Sequence, residues 1–191
     1  FLFVFIGPYF VPMDLNYTDP LQANMAPNYS LMSVPDELKN DIRDINGFAD
    51  FTVGVSNDND FYIWGNVKNN LTGVDYTAYP EEIRPGNVVA ASAGADHIIA
   101  ITTDGKVVGW GNGNNGQYGY LKSENDPYTQ MPDELLEGTI DATQVRQLLC
   151  GYQATALVME DGRLYMWGNN NAMLSLREFA TNERYNTGIQ K

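Results

Sequence analysis

Apolar residues along this chain come in short runs separated by polar punctuation, never in the long spaced stripes of amphipathic helices. HIIAIT (97–102) and ATALVM (154–159) are apolar or β-branched runs of strand length. Each is followed by Asp-Gly (Asp104-Gly105, Asp161-Gly162) and then by a second apolar run, KVVGW or RLYMW. A two-residue type I′ hairpin needs positive φ, which Asp-Gly supplies. FYIW (61–64) returns in the same way after Asp58-Asn59, and asparagine is the best non-glycine residue for that conformation. NVVAAS and VRQLLC add a strand before the hairpin. The pattern predicts three or four antiparallel strands per unit, a fourth having to come from the variable segment before the next unit.

The hairpins repeat. All three tryptophans, Trp64, Trp110 and Trp167, sit at the end of a returning run and are followed by Gly-Asn. Upstream of each lies a proline with two acids and an aliphatic residue, Pro35 to Leu38, Pro80 to Ile83 and Pro132 to Leu135. Between them lies a glycine, Gly47, Gly94 or Gly151, spaced 17, 16 and 16 residues from its tryptophan. The units run over about 33–78, 79–130 and 131–191. One such sheet buries a single face poorly and leaves open edges. Sheets stacked face to face around an axis resolve both problems, so the pattern predicts an all-β chain of propeller blades. The tryptophans are then wedges between neighbouring blades, and Gly65, Gly111 and Gly168 let the backbone turn away.

These residues resemble the RCC1-repeat family. Its unit has a glycine, a histidine three positions later, an Ala-Leu type strand, Asp-Gly, and W-G-x-N-x-x-G-Q-L-G. Gly94, His97, Ala100, Asp104, Gly105, Trp110, Gly111, Asn114, Gly116, Gln117 and Gly119 match, with Tyr118 where leucine is usual. The third unit keeps Gly151, Asp161, Gly162, Trp167, Gly168 and Asn171; the first keeps Gly47, Trp64, Gly65 and Gly73. The resemblance implies a partial RCC1-like β-propeller over 33–191. The family propeller usually has seven blades, so three units imply that more of it lies elsewhere or that copies associate.

Residues 1–32 do not fit the repeat. FLFVFI, ended by Gly7-Pro8, reads as a core strand or as the last turns of a transmembrane helix; alone it is far short of the roughly 20 residues a span needs. The following segment, with Pro8, Pro12, Asp19-Pro20, Leu21, Ala26 and Pro27, resembles the region after the first membrane helix of dipeptide/oligopeptide ABC-transporter permeases. That family continues into a Gly-Thr-Asp-Glu-Leu-Gly-Arg-Asp stretch; here Asp36-Glu37-Leu38 and Asp41 remain and Gly-Thr is missing. The resemblance implies a propeller inserted in a bacterial permease and placed on the extracytoplasmic side of the cell membrane. Its implied partners are the membrane through the N-terminal helix, other transporter subunits, and a protein or peptide ligand. The alternative is a soluble RCC1-type guanine-nucleotide exchange or protein-interaction module.

Charge and chemistry narrow this further. Eleven basic and 24 acidic residues give a net charge of −13, which repels phosphate backbones and argues against nucleic acid as a partner. With one cysteine, Cys150, an internal disulfide and a thiolate metal cluster are excluded. His97 is the single histidine, and the other units are expected to place Asp50 and Ala154 at its position. A structural hydrogen bond is its expected role, because Asp96 beside it should point to the opposite face of the strand. Cys150 reads as a buried strand thiol with no histidine near it in the pattern. The recurring acid pairs follow a proline in every unit, which marks a structural device rather than an asymmetric acid/base site. SNDND (56–60) and ENDP (124–127) lack the glycine and glutamate of an EF-hand loop. The glycine-rich run after Trp110 precedes no helix or lysine that would cradle phosphate. No catalytic residue and no cofactor is expected, and the chain reads as a non-catalytic interaction domain.

Overall fold

The computed structural model describes residues 34–48, 50–69, 72–120 and 130–169; the expectations for residues 1–32 lie outside them. Among the described residues nine strands form three antiparallel sheets of three. The first sheet contains β1 (Ile42–Phe48), β2 (Phe51–Ser56) and β3 (Phe61–Gly65). The second contains β4 (Val88–Ala93), β5 (His97–Thr102) and β6 (Val107–Gly111). The third contains β7 (Val145–Cys150), β8 (Ala154–Met159) and β9 (Leu164–Gly168). A one-turn helix, α1 (Asp133–Leu136), precedes the third sheet. Among the described residues the segments between sheets add two isolated bridges, Lys68↔Asp75 and Tyr120↔Gln130, and no fourth strand. None of the described helices is long and apolar enough to cross a membrane.

The hairpins close on three-residue loops and not on the expected two-residue type I′ turns, because the aspartate before each of Asn59, Gly105 and Gly162 keeps a negative φ. Asn59, Gly105 and Gly162 take φ of 67°, 83° and 88° as the last loop residue and donate their N–H to the carbonyls of Ser56, Thr102 and Met159 at 3.1, 2.9 and 3.0 Å. The first strand of each pair carries one irregularity in register, between Ile42 and Asp44, Val88 and Ala90, and Val145 and Gln147. The recurrence of this bulge at one place in every unit shows that the sheets are copies, because a bulge bends and twists the strand that carries it.

The sheets stack face to face and converge at their first strands, where β1 packs on β4 and β4 on β7. Two apolar seams result. The first joins Phe51, Val53 and Val55 of β2 to Ala91, Ile98, Ala100 and Trp110 of the second sheet. The second joins Ile99, Ile101 and Val107 to Leu148, Leu157, Met159, Tyr165 and Trp167 of the third. Alternation along β5 divides its residues between the seams: Ile98 and Ala100 face backward, Ile99 and Ile101 forward, and all four are fully buried. A strand covered on both faces reads as a continuous apolar run, as HIIAIT does.

Candidate interaction surface

The seams explain the residues that recur. Trp110 is buried and donates its indole N–H to the Tyr76 carbonyl at 2.9 Å. Its ring meets Phe61 of the first sheet edge-on at 5.5 Å between centroids. Trp167 is fully buried in the second seam. Trp64 lies half-buried beside Gly54 and Leu38, on the face of the first sheet turned away from the second. The glycines after the tryptophans have φ of 99°, 107° and 115° at Gly65, Gly111 and Gly168. A Cβ at any of the three would stand 2.5–2.7 Å from the carbonyl oxygen of Asp50, Asp96 or Gln153.

Those three carbonyls belong to a clamp absent from the expected site residues. The asparagine after each glycine donates its backbone N–H to the same carbonyl: Asn66 to Asp50 at 2.8 Å, Asn112 to Asp96 at 2.8 Å, Asn169 to Gln153 at 2.7 Å. The side-chain amide of Asn112 reaches the Asp96 carboxylate at 2.8 Å and that of Asn169 reaches the Gln153 amide oxygen at 2.6 Å; Asn66 repeats the contact with Asp50 at 3.5 Å. The signal was present in the sequence as Asn two residues after Trp with Asp or Gln 16 residues before it.

This clamp corrects the alignment of the first unit. His97 lies opposite Gly111, Ala154 opposite Gly168 and Phe51 opposite Gly65. Phe51, not Asp50, therefore stands at the histidine position, and Asp50 matches Asp96. Gly47 is likewise displaced by one: it pairs with Thr52 inside β1, whereas Gly94 and Gly151 follow their strands and donate to His97 and Ala154 carbonyls at 2.8 Å. The glycine-to-tryptophan spacing of 17 against 16 was that offset. Gly94 is required by crowding, because a Cβ there would overlap the His97 ring.

The proline-acid-acid-aliphatic element is a plug. Leu38, Ile83 and Leu135 each donate their N–H to the carbonyl of the proline three residues before, at 3.0, 3.0 and 2.9 Å. Leu38 and Leu135 are buried, Leu38 close to Gly54 and Leu135 in the seam of Trp167. Ile83 is half-buried against the seam of Trp110. The acids between proline and plug are largely exposed, which agrees with a structural reading of the pairs.

The second seam contains a polar cluster. Gln117, fully buried, donates its side-chain amide to the Asp96 carboxylate at 3.1 and 3.3 Å, accepts from the Asn115 backbone N–H at 2.7 Å, and offers its carbonyl to the Thr155 hydroxyl at 3.1 Å. His97 Nε2 lies 3.2 Å from that hydroxyl, and Cys150 Sγ lies 3.7 Å from it. Two sequence expectations change here. A histidine does approach Cys150, because β5 and β7 meet across the seam. Asp96 also stays near His97, its Oδ1 3.7 Å from Nδ1, because it precedes β5 and escapes strand alternation. That distance is too long for a hydrogen bond and is that of an ion pair. Because the Thr155 proton goes to the Gln117 carbonyl, Nε2 carries a proton and donates to Thr155.

Burial disfavours charge on His97, but the Asp96 carboxylate and the Cys150 sulfur outweigh it and raise its pKa from 6.5 to about 9. The folded state therefore holds this proton more tightly than the unfolded chain. Its contribution to stability is complete below pH 6.5 and is lost as pH rises through 9. Unfolding free energy should fall by about 3 kcal/mol across that window. Urea titrations at several pH values check this, with His97→Gln expected to flatten the slope. The arrangement joins two sheets, and His97 is fully buried within it.

Polar links also run along the converging strands. The Asn46 side-chain oxygen accepts from the Ser92 hydroxyl at 2.9 Å and from the Ala93 N–H at 3.2 Å, and Ser92 Oγ accepts from the Cys150 N–H at 2.9 Å. In the third sheet the matching residue is Leu149, 41% exposed. Among the described residues no group of three or more His, Cys, Asp or Glu side chains could hold a metal ion.

An open groove of about 360 Å³ lies at the rim of the first seam. Phe61, Tyr62, Tyr79, Ile83 and Pro85 line it, with Asp60 and Arg84 at its edge. Phe61 and Tyr62 belong to β3 and Ile83 is the plug, whereas Tyr79, Arg84 and Pro85 lie in the segment between the first two sheets.

Stacked three-stranded sheets with a tryptophan in each seam define a propeller-type repeat protein. The family model described as "Regulator of chromosome condensation (RCC1) repeat" matches residues 88–117 and 145–172, which lie in the second and third units. The serine/threonine-protein kinase Nek9 of Mus musculus is 30% identical over 129 residues, covering 63% of this chain and 13% of that protein. The E3 ubiquitin-protein ligase HERC2 of Homo sapiens is 32% identical over 80 residues, 42% of this chain and 2% of that one. The crystal structure of Prp20p from Saccharomyces cerevisiae aligns at a TM-score of 0.46 and 22% identity, over 66% of this chain and 30% of that one. The chain thus corresponds to a small part of each.

Proposed function

We propose that the chain is a non-catalytic interaction module whose partner is a protein or peptide. One observation carries this reading: the residues shared by the units are used up in holding sheets together, while Tyr79, Tyr120 and Tyr152, which lie outside the shared set, remain exposed. Trp110, Gly111, Asn112, Gln117 and His97 all bond or pack across strands or seams. Nothing is left in the repeated set to do chemistry, and a net charge of −13 disfavours nucleic acid. Yeast Prp20p, whose binding to Gsp1p and histones has been characterised, is a protein-binding example among the similar structures. Cross-linking the full chain in its own cells and reconstituting the product with purified components tests the reading. A partner that co-elutes at fixed stoichiometry is expected. Turnover of a substrate that disappears in His97→Gln would overturn it.

The finer proposal places this module on the outer face of a peptide-type ABC permease, supported by Pro8, Pro12, Asp19-Pro20, Leu21, Ala26 and Pro27. Protease added to intact cells should then remove the propeller repeats, and full protection would contradict the placement. A soluble guanine-nucleotide exchange module is the second reading, favoured by the repeat match alone. It requires acceleration of nucleotide release from a small GTPase by the purified chain.

A further inference from the structure

Each seam has a front half from one sheet and a rear half from the next. Along β5, Ile99 and Ile101 turn forward into the second seam, and Ile98 and Ala100 turn backward into the first. Strand register assigns the counterparts. In the third sheet Ala156 and Val158 take the forward positions, joined by Leu164 and Met166 of β9. All four are half-buried, and β8 alternates buried and half-buried residues where β5 is buried throughout. In the first sheet Tyr62 and Trp64 take the backward positions of Val108 and Trp110, and both are half-buried.

Exposed apolar residues of the inner strands fall on the same two faces. Ile42 and Ile45 of β1 match Val88 and Ala91 of β4, which are buried in the first seam, yet they are 39% and 48% exposed. Leu149 of β7 matches Ser92, which is fully buried, and is itself exposed. The first sheet thus carries an uncovered rear half of a seam, and the third sheet an uncovered front half.

An arginine marks what the front half would meet. Arg43 stands at the bulge of β1 and reaches the bulge of β4 in the next sheet, donating to the Val88 and Val89 carbonyls at 3.0 and 2.6 Å. Arg146 stands at the same bulge in β7. It is exposed, and among the described residues it has no hydrogen bond or ion pair. Its counterpart is satisfied by the backbone of a bulged first strand. The rear of the first sheet offers such a strand, β1, with the Ile42 and Arg43 carbonyls in the places of those of Val88 and Val89. Leu149 lacks the polar atom with which Asn46 and Ser92 accept an N–H from the next strand, so a seam built here is more apolar and weaker than the two within the chain.

We propose that two copies of this chain associate head to tail, the front of the third sheet of one copy packing on the rear of the first sheet of the other, with Arg146 donating to the Ile42 and Arg43 carbonyls of the second copy. Two different surfaces meet, so the contact is heterologous and either closes into a ring or extends into a row. Two copies of net charge −13 repel each other, and moderate salt screens that repulsion. The proposal concerns self-association and stands apart from the identity of any other partner.

Sedimentation velocity of the intact chain over a concentration series at moderate salt tests this. The mass should rise with concentration from one chain to two or more. Arg146→Glu on the front face and Ile45→Asp on the rear face should each weaken association by about tenfold or more, the equivalent of about 1.4 kcal/mol. Both replace exposed side chains, and circular dichroism reports that the sheets remain folded. Mixed one to one, the two variants should form a complex of two chains as tightly as the parent, because each supplies the surface the other lacks. Exchange of the Trp64 indole N–H should slow as concentration rises, while Trp110 and Trp167 stay unchanged; in dilute solution the Trp64 face is open. A mass of one chain at every concentration, a variant that associates like the parent, or a mixture no heavier than its components would overturn the proposal. Cross-linking that recovers another protein and no second copy overturns it too, and leaves the interaction module standing.

Discussion

Replacing Trp167 with alanine is expected to lower the unfolding free energy by about 3–5 kcal/mol, the range for truncating a large buried aromatic side chain. Trp167 is fully buried in the second seam, against residues of both the second and third sheets. Its removal leaves a cavity that neither sheet can fill alone, because the framework on each side is fixed by strand hydrogen bonds. Among the described residues its indole N–H has no hydrogen-bond partner, so the loss counted here is one of packing. Trp64 provides the control. It is only half-buried, and Trp64→Ala should cost about 1 kcal/mol, in line with partial loss of buried area. Urea unfolding of both variants measures the contrast. If Trp167→Ala leaves too little folded protein, Trp167→Phe should give an intermediate midpoint. Equal effects at the two positions would contradict the seam assignment.

The second large effect concerns a glycine whose side chain would enter the neighbouring unit. Gly105 closes the β5–β6 hairpin at φ 83°, and its carbonyl accepts the Ile140 N–H at 2.9 Å from the segment leading into the third sheet. A Cβ at Gly105 would overlap the Ile140 carbonyl. Gly105→Ala therefore combines about 1–2 kcal/mol for a left-handed alanine with loss of the inter-unit hydrogen bond, about 1 kcal/mol. Gly73 separates the two causes. It has φ 73° with open space around its missing side chain, so Gly73→Ala should show the conformational cost alone. Thermal or urea unfolding should place Gly105→Ala about 1 kcal/mol or more below Gly73→Ala. Coincident midpoints would mean that the hairpin turn does not touch the next unit.

The strands were legible because their chemistry is local. The runs HIIAIT and ATALVM coincide with β5 and β8, and the turns at Asn59, Gly105 and Gly162 take positive φ as their residue types predict. The all-β repeat with its RCC1 resemblance was legible for the same reason: each tryptophan marks a strand end at a fixed distance from a turn. Register in the first unit was not, since Gly47 offers a glycine one residue from the place that Phe48 occupies, and a pattern of single letters cannot choose between them. The clamp of Asn112 on Asp96 went unread because its partners are 16 residues apart and its acid looked like a neighbour of His97. The approach of Cys150 to His97 depends on two sheets meeting, which no spacing within one unit encodes. The rim groove is of the same kind. Phe61 belongs to a strand and Tyr79 to a connecting segment, and only the stacking of the first two sheets brings both against Trp110.

Tryptophans sealed between successive sheets hold the architecture together, and hydrogen exchange of the three indole N–H protons in the intact chain tests that most directly. Trp110, bonded to the Tyr76 carbonyl, and Trp167, fully buried, should exchange orders of magnitude more slowly than half-buried Trp64. Exchange of all three within the dead time of the measurement would place the rings in water and contradict the stacked-sheet architecture.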